Sequence, residues 1–199
     1  MLDVACDPLD LSALEPRDAI YSYDLYPSGA SDPVAQARYE VEARGGGRYR
    51  TVTWFNDDRA MASRTDFTLA VFGEAVSSAG AAQARAAFEP NALADATVMA
   101  AGEDVEIPVR YTLPTPEGVR VEDGVFTLEH LGCTQETVSG EAVLVHRLGV
   151  ERFRVIAPRN AAPRVQESEL VWSIAPSLGW WVAQNARNGR MVLSTISAD

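Results

Sequence analysis

Apolar and polar residues alternate with a period of two along most of this chain. In QARYEVEA, Ala37, Tyr39, Val41 and Ala43 fall on one side while Arg38, Glu40, Glu42 and Arg44 fall on the other. This is the signature of a strand with one wet face. Gly45, Gly46 and Gly47 then offer the positive φ angles of a tight reversal. RYRTVTWF follows as the returning strand, rich in β-branched and aromatic residues. Ahead of this hairpin, AIYSYDLY sets Tyr21, Tyr23 and Leu25 on one face; after it, TDFTLAVF aligns Phe67, Leu69 and Val71.

The pattern breaks between Glu74 and Phe88. SSAGAAQARAAF is alanine-rich and poor in β-formers, which predicts one short helix over 74–88, closed by Pro90 and lying over a sheet. Alternation resumes with Val105, Ile107, Val109, Tyr111 and Leu113, until Pro114 and Pro116 end the strand. GVFTLEHLGC, EAVLVHRLGV, ERFRVIA, QESELVWSI, WWVAQ and MVLSTI complete the series. The dipeptide Asn188-Gly189 marks the last hairpin as a type I′ turn.

About ten strands and one helix predict a mostly β protein of one domain, 1–199, with residues 1–18 as an N-terminal extension. The expected architecture is a strongly curved antiparallel sheet or half-barrel with one short covering helix. A length of 199 residues suits that reading, and 47% hydrophobic content is enough for a core.

The net charge of -11 and pI near 4.6 disfavour a polyanionic partner, so no nucleic acid is expected. All 17 basic residues are arginine, which points to a GC-rich bacterial coding bias. No transmembrane helix is expected, since no run of about 18 apolar residues occurs. The opening MLDVACDPLD carries no signal peptide and reads as the mature start of an exported protein behind an added methionine. A periplasmic or otherwise exported location follows.

In such a compartment Cys6 and Cys133, 127 residues apart, are expected to form a disulfide. Two unpaired thiols, or a lipid anchor on Cys6, are the other readings. His130, Cys133 and His146 can meet across adjacent strands as metal ligands. Two partly buried, hydrogen-bonded histidines are the more ordinary outcome, and no metal or other cofactor is expected. Cys133 with His130 is the sharpest nucleophilic pair, but nothing glycine-rich or helical follows Cys133 to build an oxyanion site. No catalytic residue is therefore assigned, and no enzyme is expected. Asn56, Asp57 and Asp58 lack the spacing of a calcium loop and read as an Asx-rich turn.

Trp172, Trp180 and Trp181 are the candidate ligand-binding residues. As neighbours in a strand, Trp180 and Trp181 are expected on opposite faces, one in the core and one toward solvent, the helix or a ligand groove. A second layer of core is the more ordinary outcome than a ligand site.

From Phe88 onward, Gly102, Gly132 with Cys133, Gly140, Trp172, Ala175-Pro176, Gly179 and Leu193 form an order that resembles TapB-like bacterial envelope domains. The likeness covers about half the chain. It departs at Gly140, Glu141 and Ala142, where that family often has Gly-x-Phe. The resemblance implies a curved sheet with a helical cover, similar to periplasmic lipoprotein carriers such as LolA, and implies no catalytic residue. The function expected is a structural or protein-interaction module of the envelope. The alternative is a module that holds a lipid or other hydrophobic ligand in the concave face of the sheet.

Overall fold

A computed structural model of the chain describes residues 6–45, 47–69, 72–78, 83–156 and 164–198. Gly46 and Val71 lie outside these residues. The strands are β1 (Leu9–Asp10), β2 (Ala19–Pro27), β3 (Ala35–Gly45), β4 (Arg48–Phe55), β5 (Asp58–Thr68), β6 (Phe72–Ser78) and β7 (Ala84–Phe88). Helix α1 (Pro90–Asp95) precedes β8 (Val98–Met99), β9 (Asp104–Thr115), β10 (Gly118–Val138), β11 (Glu141–Ile156), β12 (Arg164–Ala175), β13 (Trp180–Ala186) and β14 (Gly189–Ser197).

The sheet is closed where a half-barrel was expected. Twelve antiparallel strands run in the order β10-β11-β12-β13-β14-β2-β3-β4-β5-β6-β7-β9, and β9 pairs back onto β10. Closure depends on β14 meeting β2, from Gly189 opposite Pro27 to Ser197 opposite Ile20. That contact joins the two ends of the chain, and a closed barrel leaves no edge strand to cap.

The helix expected over 74–88 is replaced by β6 and β7, with residues 79–82 outside the described set. Arg85 and Ala84 pair with Ala75 and Val76, and Arg85 to Phe88 pair with Thr112 to Val109. Ladder pairing on both sides outweighs the helix preference of alanine. Pro90 opens a helix rather than ending one: it sits in the first turn of α1, and Glu89 caps that turn by accepting from the Ala92 N–H at 2.7 Å.

The last hairpin also differs by one position. Ala186 pairs with Gly189, so Arg187 and Asn188 form the loop, and Asn188 is not left-handed. The first hairpin turns at its glycines as expected, with Gly45 opposite Arg48.

The N-terminal segment caps one end of the barrel. β1 pairs with β8, placing Leu9 opposite Met99, and the Leu11 N–H donates to the Thr97 carbonyl at 2.8 Å. The Ser12 backbone lies beside the β3–β4 turn at Gly47, and the Glu15 backbone lies against Gly179 between β12 and β13. Leu9, Leu11 and Leu14 are buried in the barrel core by this path. Each contributes on the order of 1.5–3 kcal/mol of hydrophobic stabilisation. No helix of the described residues is long and apolar enough to cross a membrane.

Candidate functional site

Two buried clusters hold the residues singled out in the sequence. The first is aromatic. Trp181 stacks on Tyr23 with ring centroids 4.0 Å apart and meets Tyr39 edge-on at 5.2 Å. Trp180 packs on Tyr21 and Tyr49 at 5.4 and 4.9 Å, and Trp172 lies parallel to Trp181 at 6.4 Å. All three tryptophans are buried. Core packing, the more ordinary of the two outcomes, is what the three indoles show, while the expected placement of Trp180 and Trp181 on opposite faces does not hold. Trp180 is the first residue of β13, directly after the left-handed Gly179, and the facing strand shifts register between Ser173 and Ile174. The extra residue of that shift, Val182, follows Trp181 and does not separate the two indoles. Both lie in the core, Trp180 at the very start of the strand where the ladder is only beginning.

The second cluster is built where the N-terminal segment meets the barrel. His130 on β10 faces Leu148 on β11, and Cys133 faces His146. Between them the register shifts at Leu131 and Gly132, and Gly132 has φ +91°. The extra residue of this bulge resets the alternation, so His130 and Cys133 share the inner side despite their odd spacing. Cys6 arrives from the N-terminal segment and forms a disulfide with Cys133, with Cα atoms 5.4 Å apart. Sequence pattern offered no local signal for that arrival.

The imidazoles complete the cluster. His130 is fully buried and His146 nearly so. A carbonyl can only accept, so the His130 Nδ1–H donates to Met99 O at 3.0 Å and leaves Nε2 as a lone pair. His146 Nδ1 lies 3.1 Å from that Nε2 and donates to it. Cys6 Sγ is 3.7 Å from His130 Nε2, and Cys133 Sγ is 3.6 Å from His146 Nδ1. Burial, then the neighbouring His130, hold the His146 imidazole below its usual pKa, while Asp7 acts in the opposite sense.

Asn56 and Asp57 form the β4–β5 turn, and Asp58 opens β5. Asn56 Oδ1 accepts from the Gln36 N–H, Asp57 pairs with Arg38, and Asp58 accepts from the Ala60 N–H.

On the outer face of β10, β11 and β12 lies a shallow groove of about 460 Å³. Its floor includes Leu131, which rests over Gly149, and Val171. Glu129 stands opposite Asp104, and Glu151 stands opposite Glu169. None of these four carboxylates is ion-paired among the described residues. Sequence pattern alone does not single them out, because only the strand register places them side by side.

No protein-family model matches this chain, and no curated protein or solved structure is significantly similar to it.

Proposed function

We propose that the protein is a non-enzymatic interaction module of a bacterial envelope, and that it docks a basic, apolar-anchored segment of a partner protein in the β10–β12 groove. The observation that carries this reading is the pair of opposed like charges, Asp104 with Glu129 and Glu151 with Glu169, flanking the half-exposed Leu131. Like charges directly across a ladder destabilise a sheet. A partner's arginine or lysine side chains relieve that repulsion, and an apolar residue covers Leu131 and Val171.

Holding a hydrophobic ligand inside the sheet is less well supported. Trp172, Trp180 and Trp181 spend their ring faces on tyrosines and on one another.

The test is capture from envelope extracts with the intact protein, compared with a Leu131→Asp, Glu151→Arg variant. A partner retained by the native chain and lost by the folded variant supports the proposal. Equal retention by both, or no saturable partner for either, overturns it.

A further inference from the structure

Four donor atoms at the capped end of the barrel converge on one point: Cys6 Sγ, Cys133 Sγ, His130 Nε2 and His146 Nδ1 all lie within 4.8 Å of one another. We propose that, once the disulfide is reduced, these four atoms hold one tetrahedral zinc ion, making the cluster a redox-gated metal site.

Geometry supports this on three edges. Zinc bonds of about 2.0–2.1 Å to nitrogen and about 2.3 Å to sulfur, at tetrahedral angles, put nitrogen–nitrogen edges near 3.3 Å and sulfur–nitrogen edges near 3.6 Å. The corresponding separations are 3.1 Å between the imidazoles and 3.7 and 3.6 Å for the two sulfur–nitrogen contacts. The remaining two sulfur–nitrogen edges lie within 4.8 Å, and the sulfur–sulfur edge is short because there the atoms are covalently joined. Breaking that bond frees two side chains on separate segments to move apart by a rotamer adjustment.

Ligand chemistry agrees. Two thiolates and two neutral imidazoles bring a divalent ion to zero net charge inside an apolar core, which suits borderline-soft zinc and not calcium or magnesium. His130 is already oriented for the task. Its Nδ1–H is held by the Met99 carbonyl, the outer-shell contact that fixes a ligating tautomer and aims Nε2 inward. His146 needs one change, carrying its proton on Nε2 so that Nδ1 can bind.

The gating step balances with a dithiol reductant. One thiolate of the reductant bonds to a cysteine sulfur and the Cys6–Cys133 bond breaks, releasing the other cysteine. The reductant's second thiol then displaces the first cysteine, and the reductant leaves as a disulfide carrying away the two-electron oxidation. Zinc binding releases the two thiol protons to solvent. Both cysteine residues are only partly buried.

The test uses the full chain, free of any metal-binding tag, in oxidised form and after anaerobic reduction with a phosphine. Zinc, and cobalt(II) as a spectroscopic probe, are titrated into each. Expected are one ion per reduced chain, with tetrahedral cobalt bands and thiolate charge transfer, and none for the oxidised chain. His130→Ala and His146→Ala, in reduced form, should each weaken binding at least about tenfold. Near-ultraviolet circular dichroism of the buried tryptophans reports whether each species is folded. Failure of the reduced wild type to bind, whether folded or unfolded, overturns the proposal. So does binding unchanged in both histidine variants, or binding by the oxidised chain with equal affinity.

Discussion

Tyr23 and Trp181 are joined twice. Their rings stack at 4.0 Å, and the Tyr23 hydroxyl donates to the Trp181 main-chain carbonyl at 2.7 Å, inside the barrel and 158 residues apart in sequence. This contact ties β2 to β13 across the intervening β14, at the seam where the chain ends close the barrel. Tyr23→Phe keeps the stacking and removes only the donor, stranding a buried acceptor. The expected loss is about 1–3 kcal/mol in a denaturant titration. Tyr23→Ala also removes the ring, and should cost about 3–5 kcal/mol by analogy with large-to-small aromatic truncations. A Phe variant as stable as the wild type would show that the carbonyl is satisfied in another way.

The same burial gives the protein an alkaline limit. Desolvation raises the pKa of Tyr21, and raises those of Tyr23 and Tyr49 well above the ordinary value. Unfolded tyrosines ionise near pH 10. Above that pH the unfolded chain sheds protons that the folded chain keeps, so stability is intact below about pH 10 and falls as the pH rises further. Tyrosinate absorbance should therefore show these three residues ionising only with cooperative unfolding. A smooth, reversible titration of all 6 tyrosines near pH 10 in a folded protein would contradict it.

The particular residues explain what could be read from sequence. Tyr21, Tyr23, Ala37 and Val41 lie in the core as their alternation indicated. Local period-2 pattern needs no knowledge of partners. Ala84, Ala86 and Phe88 alternate too, facing inward more than Arg85 and Ala87 do, but alanine is so small that helix propensity dominated the reading. Barrel closure was hidden because the β14–β2 ladder links positions such as Leu193 and Tyr23, far apart in sequence. The candidate site was half legible. Cys133 opposite His146 is an ordinary ladder pair, and the Cys6–Cys133 pairing was expected. The bulge that brings His130 beside Cys133, and the convergence of all four side chains, depend on tertiary placement.

Gly179 should be far less replaceable than Gly140. Both have positive φ, +62° and +84°, so a Cβ at either costs on the order of 1–2 kcal/mol in backbone strain. At Gly140 nothing lies within 4 Å of that Cβ. At Gly179 it would stand 2.3 Å from the Glu15 carbonyl oxygen and 2.9 Å from the Glu15 nitrogen. The N-terminal segment must then lift from the β12–β13 turn. Thermal melts should place Gly140→Ala slightly below the wild type and Gly179→Ala well below it, by at least about 2 kcal/mol more. Equal shifts would mean that the segment does not press on that turn.

The disulfide acts on the same segment from its other end. Cys6→Ser combined with Cys133→Ser removes a cross-link closing 127 residues, which chain-entropy arguments value at about 5 kcal/mol at most. The folded protein should lose less. Leu9, Leu11 and Leu14 remain to hold the segment in the core, and the β1–β8 ladder is untouched. We expect a loss of about 2–4 kcal/mol in denaturant midpoints, measured with a metal chelator present so that only the covalent link differs. Limited proteolysis should then cut first between Asp7 and Arg17, before the barrel strands, because local opening of the segment no longer has to break a covalent bond. A double variant with an unchanged midpoint and an uncut segment would mean that buried leucines alone fix the cap, leaving the cysteines without a structural task in the oxidised protein.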